Sequence, residues 1–284
     1  MCLPGTVEAV RERIAEEGAP RVDRRTVLAG AAGAALAAAF PASAAAGWGH
    51  GHGHRRAQDL THVFRAGFPI YGNPPVFHPP SRTTLVNVVP DGFYGQEWTF
   101  WEHSGTHMDA PAHFITGGRH TPDLEIGELM LPLFVVDIRD KAAADPDAMV
   151  EIDDLRRAER RHGRIPKGAL VAMDSGWDVR AVSEQAYRNP DASGVYHFPG
   201  FSNDAVEWLI DERRMAAIGV DTLSLDPGNS TTFDVHVTLL ASDRYGLEGI
   251  ANLGKVKPSG ARAFVGVIPW EQGSGGPARV WAAW

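Results

Sequence analysis

Eleven residues, His103-Ser104-Gly105-Thr106-His107-Met108-Asp109-Ala110-Pro111-Ala112-His113, hold three histidines and an aspartate, spaced four, two and four positions apart. Neutral imidazole together with carboxylate suits borderline divalent cations such as zinc or manganese. Such a cation brings the pKa of a bound water close to neutrality and makes it a nucleophile. The segment therefore points to metal-assisted hydrolysis.

No regular element carries all four side chains to one point. On a helix His103 and His107 share a face, but Asp109 falls about 200° from His107 at roughly 100° per residue. On a strand all four share a face, yet ten steps of about 3.3 Å span roughly 33 Å, whereas metal–ligand bonds measure about 2.0–2.2 Å. The backbone must curl. Gly105 permits unusual φ and Pro111 breaks regular structure, so the segment reads as an irregular loop or a broken helical turn.

Before the fold comes a leader. Arg24-Arg25 precedes an alanine-rich apolar run to Phe40, then Pro41 and the small residues Ala42 to Ala46. Residues 1–46 read as a twin-arginine export signal, with cleavage after Ala44 or Ala46. The run is too short and too alanine-rich for a membrane span, so the mature chain is expected to keep none. The expected partner of this region is the twin-arginine export machinery, and the expected location is outside the cytoplasm. Cys2 is the single cysteine and leaves with the leader, so a metal site in the mature chain must use nitrogen and oxygen alone. The net charge of −8 carries no basic tract, which argues against nucleic-acid binding. Residues 47–56 contain His50, His52 and His54 alternating with glycine. They read as a flexible linker or a loose metal-capture tail.

The elements that must position the motif follow from residue 57. Thr83–Val89 is β-branched and reads as a strand, and Gln96–Glu102 as another that delivers the chain to His103. Leu131–Ile138 and Ala169–Met173 read as buried strands. Ile152–Arg161 reads as a charged helix, and Ser202 as the N-cap of a second. Ala216–Val220 reads as a strand with Asp221 at its end, Leu247–Leu253 as helical, and Ala263–Pro269 as the closing strand. The fold class is α/β, with mixed sheets and short helices.

The chain resembles the cyclase family, which includes bacterial kynurenine formamidases and isatin hydrolases. The resemblance runs through Asp59-Leu60-Thr61-His62, Pro69-Ile70-Tyr71, the 103–113 segment with Phe114, Ser175-Gly176-Trp177 and Gly219–Asp226. It continues through His236, Leu247–Leu253 and Gly273–Arg279, and covers residues 57–284. It implies a swivelling β/β/α fold and a metal-dependent hydrolase domain. It further implies that His103, His107 and Asp109 bind one metal and that Asp109, His236 and Glu248 bind a second, with Asp109 as bridge. His113 is then the general acid/base. Spacing alone leaves His113 open as a ligand. Some single-metal members, isatin hydrolases among them, place a neutral amide where this chain has Glu248. The acid therefore favours two divalent ions, Zn or Mn, per chain. Dimers or tetramers are common in the family.

The expected activity is hydrolysis of an amide C–N bond, in a formamide or a cyclic amide. A lactone or polyketide-type ring reaction and a non-catalytic exported metal- or ligand-binding protein are the alternatives. The aromatic residues Tyr71, Phe93, Trp98, Phe100 and Trp177 are candidates to line a pocket for a flat substrate, or else ordinary core. Asp221 and Asp226 either orient ligand histidines or cap strand-end turns.

Overall fold

The computed structural model describes residues 56–284 and, ahead of them, residues 11, 12, 15 and 16. The arginine pair, the alanine-rich run and the His50–His54 tail lie outside the described residues. Two compact units are present. Among the described residues, one takes in residues 11, 12, 15 and 16 with Arg82–Trp98, and the other takes in residues 56–81 with Thr99–Trp284.

In the first unit, β2 (Ser81–Val86) pairs with β3 (Gly95–Thr99) in a two-stranded sheet. The expected strand over 83–89 stops at Val86 because the chain turns at Val88–Asp91. There the Asp91 carboxylate accepts the Asn87 N–H (2.8 Å) and pairs with Arg11.

The second unit carries the site. β1 (Ala57–Asp59), β4 (His107–Asp109), β5 (Met130–Asp137), β7 (Leu170–Asp174), β9 (Ala217–Val220), β10 (Tyr245–Glu248), β11 (Ala261–Val267) and β12 (Gly275–Ala283) form one sheet in the order β1-β12-β11-β5-β7-β9-β10-β4. β4 pairs with β12 as well as with β10, so the sheet closes on itself. A small parallel pair, β6 (Met149–Val150) with β8 (Gly200–Phe201), stands apart.

β5, β7, β9 and β10 run parallel. Parallel strands need crossovers, and the crossovers here are α1 (Ile152–His162), α2 (Asn203–Trp208) and α3 (Asp234–Ala241). These helices bury one face of the strands, and the opposite face is buried inside the closed sheet. Successive residues thus enter different cores. Leu133 and Val135 join one cluster with Met108 and Leu247, while Phe134 and Val136 join the helices through Leu155 and Val206. Burial on both faces explains why the 131–138 run is continuously apolar rather than alternating. Ser202 caps α2, its Oγ accepting the Ala205 N–H.

Three expectations are corrected. Leu247–Leu253 is not a helix: Tyr245–Glu248 is a strand, Gly249 turns at φ 61°, and Ile250 bridges to Thr61. The closing strand is β12, beyond the expected 263–269. The 103–113 segment is neither all loop nor a helical turn, because His107–Asp109 is a paired strand between the His103–Thr106 loop and a 3₁₀ turn at Pro111–His113. The curl still comes where expected, with Gly105 at φ 72° and Pro111 starting the 3₁₀ turn. Among the described residues no helix is long and apolar enough to cross a membrane.

Candidate metal centre

β4 delivers its ligands through its pairing. Asp109 stands opposite Gly246 on β10 and Gly275 on β12, and His107 stands opposite Glu248. The glycine at 275 leaves room for a ring. A Cβ there would sit 2.5 Å from His103 Cε1 and run into the Met108 carbonyl. The Thr106 hydroxyl donates to the Gly249 carbonyl and accepts the His62 N–H (3.0 Å), pinning the loop before β4 to the turn after β10. α3 brings in His236 from the next crossover.

Two groups of donor atoms result, each within 4.8 Å: His103, His107 and Asp109, and Asp109, His236 and Glu248. All five residues are buried and Asp109 belongs to both groups. Across them, His107 Nε2 is 3.4 Å from Asp109 Oδ1 and 3.3 Å from Glu248 Oε2. His236 Nε2 is 3.1 Å from Glu248 Oε1 and 3.6 Å from Asp109 Oδ2.

Each imidazole has its second nitrogen held. His107 Nδ1 faces the Gly105 carbonyl at 3.0 Å, a contact that requires the proton there and turns Nε2 toward the carboxylates. His236 Nδ1 lies 2.6 Å from Asp226 Oδ2, and Nε2 faces the cluster. His103 is turned the other way. Its Nε2 meets Ser274 Oγ at 2.9 Å, Ser274 donates to Glu102 Oε1 at 2.5 Å, and Nδ1 faces Asp109 Oδ1 at 2.6 Å. Partners of this kind fix tautomer and ring orientation in metal sites. Asp109 Oδ2 is buried with no hydrogen-bond partner, a costly state unless something else takes up the lone pair. A divalent cation fits these residues.

Charge balance in the ion-free cluster agrees. Burial lowers the His107 imidazole, but the Asp109 and Glu248 charges outweigh it and lift the pKa to about 10. His236 is raised well above its ordinary value and His103 is raised, each against its own desolvation and each by its carboxylate partners. Burial opposes charge on Asp109 too, yet its histidine neighbours hold it well below the usual range. Protons stand where cations can.

His113 stays outside both donor groups. Its ring stacks on His103 with centroids 3.7 Å apart and lies 6.1 Å from His236. Burial pushes its pKa down to about 4, so the ring is neutral and able to accept a proton.

The centre opens on a cavity of about 360 Å³ whose walls include Tyr71, Phe77, Trp101, Phe114, Leu223 and Phe233. Of the expected aromatic residues, only Tyr71 lines it. Trp177 is core: it is 2% exposed, its indole N–H donates to the Tyr187 carbonyl, and Phe68 and Phe198 surround it. Trp98 lies on β3 of the other unit with Arg82 over its ring, and is not among the lining residues. Phe93 belongs to that unit too, and Phe100 packs edge-on against Phe64 and Trp270. The two aspartates divide between the alternatives. Asp226 orients His236, while Asp221 holds a turn, accepting the Ser175 and Trp177 N–H groups (3.0 Å each). Sequence reasoning missed Ser274, Glu102 and the cavity's Phe233. Ser274 lies 171 positions from the histidine it touches, and only its place in a Gly-Ser-Gly-Gly run hinted at it.

Comparison with known proteins agrees with this architecture. The Cyclase family model matches residues 58–227. The isatin hydrolase of Roseibium aggregatum is 34% identical over 238 residues, which are 79% of this chain and 90% of that protein. A kynurenine formamidase of Sphingopyxis alaskensis is 25% identical over 195 residues, 69% and 82% of the two chains. The solved structure of isatin hydrolase A from Ralstonia solanacearum is similar with a TM-score of 0.77 at 33% identity, covering 81% of this chain and 92% of that one. With a mixed α/β fold, a paired donor set gathered around β4 and these relatives, the chain belongs to the cyclase family of metal-dependent hydrolases.

Proposed function

We propose that this protein opens the amide C–N bond of a neutral, flat, cyclic aryl amide of the isatin type. The observation that carries the choice is the cavity lining. Among the described residues that line it there is no lysine or arginine, and the ionisable groups there are the histidines and Glu248 of the centre and Tyr71. N-formylkynurenine bears an α-ammonium and an α-carboxylate, and burying either without a partner costs several kcal/mol. A neutral bicyclic amide asks for no such partner. A lactone of similar shape fits the same walls and is the second reading.

His103, His107 and Asp109 would hold one metal, and Asp109, His236 and Glu248 a second, with Glu248 supplying the charge for the second ion. Zinc or manganese suits these ligands. When bound, the metal supplies Lewis acidity toward the carbonyl and activates water at neutral pH. His113, neutral and beside the cluster, takes the proton of the attacking water and returns it to the departing nitrogen, so the ring opens to an amine and a carboxylate. The apolar walls exclude bulk water and hold the aryl plane.

Purified protein given zinc or manganese and assayed on isatin and N-formylkynurenine tests the reading. Isatin is expected to be favoured by at least about a hundredfold in kcat/KM. Preference for N-formylkynurenine overturns the choice, and no turnover of any amide or lactone, with metal bound, points to the binding-protein reading. Elemental analysis near two ions per chain supports the shared Asp109, and a value near one demotes the second group. The leader at 1–46 supports export. Detection of the protein only in the cytoplasm, at full length, would overturn that.

A further inference from the structure

Among the described residues, the cavity residue Tyr71 carries a hydroxyl that the protein itself leaves without a hydrogen bond. Its ring is boxed in by Tyr196, Phe198 and Phe233, all edge-on, at centroid distances of 5.5, 6.4 and 5.8 Å. Its backbone is held as firmly. The buried Arg188 guanidinium donates to the Ile70 carbonyl (2.8 Å) and the Gly72 carbonyl (2.6 Å), on either side of Tyr71, and to Asn73 Oδ1 (2.9 Å). Arg188 is 7% exposed and lies outside the cavity lining, and the chemistry above does not use it. Yet the Tyr71 hydroxyl makes no hydrogen bond to the protein among the described residues, nor is it sealed off as a buried orphan. A phenol so fixed, with a free donor at the cavity, is built to meet a ligand atom.

We propose that the Tyr71 hydroxyl donates a hydrogen bond to the carbonyl oxygen of the bound amide, and that Arg188 is the positioning residue that aims it. This rests on the neutral-amide reading above. The amide oxygen gains negative charge as water adds to its carbon. A donor already in place there stabilises that charge without having to reorganise. The hydroxyl keeps its proton across the working range, because burial, then Tyr196 and the Glu248 and Asp226 carboxylates, push its pKa up to about 12. It therefore donates and does not compete with His113 as a base. It also gives the otherwise apolar pocket a fixed polar point, so a flat ring of the right outline but without an oxygen on that edge gains nothing from it.

Tyr71→Phe tests the proposal in the metal-loaded enzyme. The change leaves all three ring contacts in place and removes only the hydroxyl. A purely structural role predicts no change in turnover. The expected result is an unchanged melting temperature and metal content, a fall of about 10- to 100-fold in kcat with a smaller change in KM, and weaker inhibition by thioisatinate, the product analogue bound in a solved isatin hydrolase structure. Arg188→Lys keeps the charge but not the three-point grip, and is expected to lower kcat in the native background and to cost little further on top of Tyr71→Phe. Wild-type turnover and inhibition in Tyr71→Phe overturn the role of Tyr71. Fully additive losses in the double variant overturn that of Arg188. Failure of the unmodified enzyme to open any neutral amide would instead refute the functional reading, and this assignment with it.

Discussion

Asp226→Asn is the sharpest probe of the centre, because one carboxylate serves both a histidine and a helix. Its Oδ2 lies 2.6 Å from His236 Nδ1 and accepts the His236 N–H at 3.1 Å, while Oδ1 accepts the Val235 N–H at 2.9 Å. It thus caps α3 from outside, where Phe233 at the helix start offers no capping side chain and sits at φ 53°. An asparagine has one acceptor oxygen. If that oxygen stays with His236, the NH₂ group faces the Val235 N–H. If it turns to Val235, the NH₂ group faces Nδ1, which then accepts and moves the imidazole proton to Nε2, the nitrogen that faces Asp109 and Glu248. The first arrangement costs about 0.5–2 kcal/mol of cap. The second removes a ligand. Loss of such a partner typically weakens metal binding about 10- to 100-fold, or about 1.4–2.8 kcal/mol at 1.4 kcal/mol per decade. Competition against a chromogenic chelator measures the affinity, and thermal unfolding of the ion-free variant measures the cap separately. Metal affinity within twofold of wild type together with an unchanged melting temperature of the ion-free variant would refute the idea that Asp226 serves both His236 and the cap.

Other expectations follow from the same geometry. His113→Ala should keep its metal and lose about 10²- to 10⁴-fold in kcat, and a loss of metal instead would return His113 to the ligand set. Gly275→Ala should cost about 1–3 kcal/mol in unfolding free energy and weaken metal binding, since the methyl and the His103 ring compete for one space; unchanged metal affinity would show that the ring has room to move. Glu248→Gln should reduce the metal content of the purified protein, and an unaltered stoichiometry would remove the acid as the reason for a second ion. Because the His107 pKa is lifted to about 10, metal binding at neutral pH should displace its proton, so affinity should rise with pH up to that region; equal heats in buffers of different ionisation enthalpy would exclude proton release. In the ion-free protein the sign is the reverse. The raised histidine stabilises the fold fully below about pH 6.5 and loses that contribution as pH climbs toward 10.

The sequence reveals what local pattern records and conceals what distant pairing decides. β5 and β7 are legible because burial on both faces writes an unbroken apolar run. β12 escapes notice because Gly275-Gly276-Pro277 has poor strand propensity, and its pairing with β4, not its composition, makes it a strand. Leu247, Ile250 and Leu253 fall at helical spacing and suggest a helix, yet Leu247 points into the closed sheet and Ile250 follows a turn. At the centre, the residue types and spacing of 103–113 suffice for the first donor group. His236 and Glu248 become legible only through resemblance, because they come from two further elements of the sheet-and-helix layer. The orienting groups Ser274 and Glu102 carry no pattern of their own. Which aromatic residues wall the cavity stays open in the sequence for the same reason: an indole in sequence gives no sign of which side of a sheet it faces.

The strand β4 has a consequence beyond chemistry. β4 is three residues long, and two of them are donors. It is also the seam of the sheet, with β10 on one side and β12 on the other. An ion held by Asp109, His236 and Glu248 would join Asp109 on the seam to Glu248 on β10, and so work as a clasp. At a hundredfold excess over its Kd it adds about 2.7 kcal/mol to the folded state, or about 5–10 °C in a domain of this size at roughly 2–4 °C per kcal/mol. Chelation should accordingly raise amide exchange first in β4 and the adjoining ends of β10 and β12, before the parallel strands respond. The same ligands then set both the turnover of the substrate and the lifetime of the protein, and an idle enzyme stripped of its ion is the one that proteases reach first.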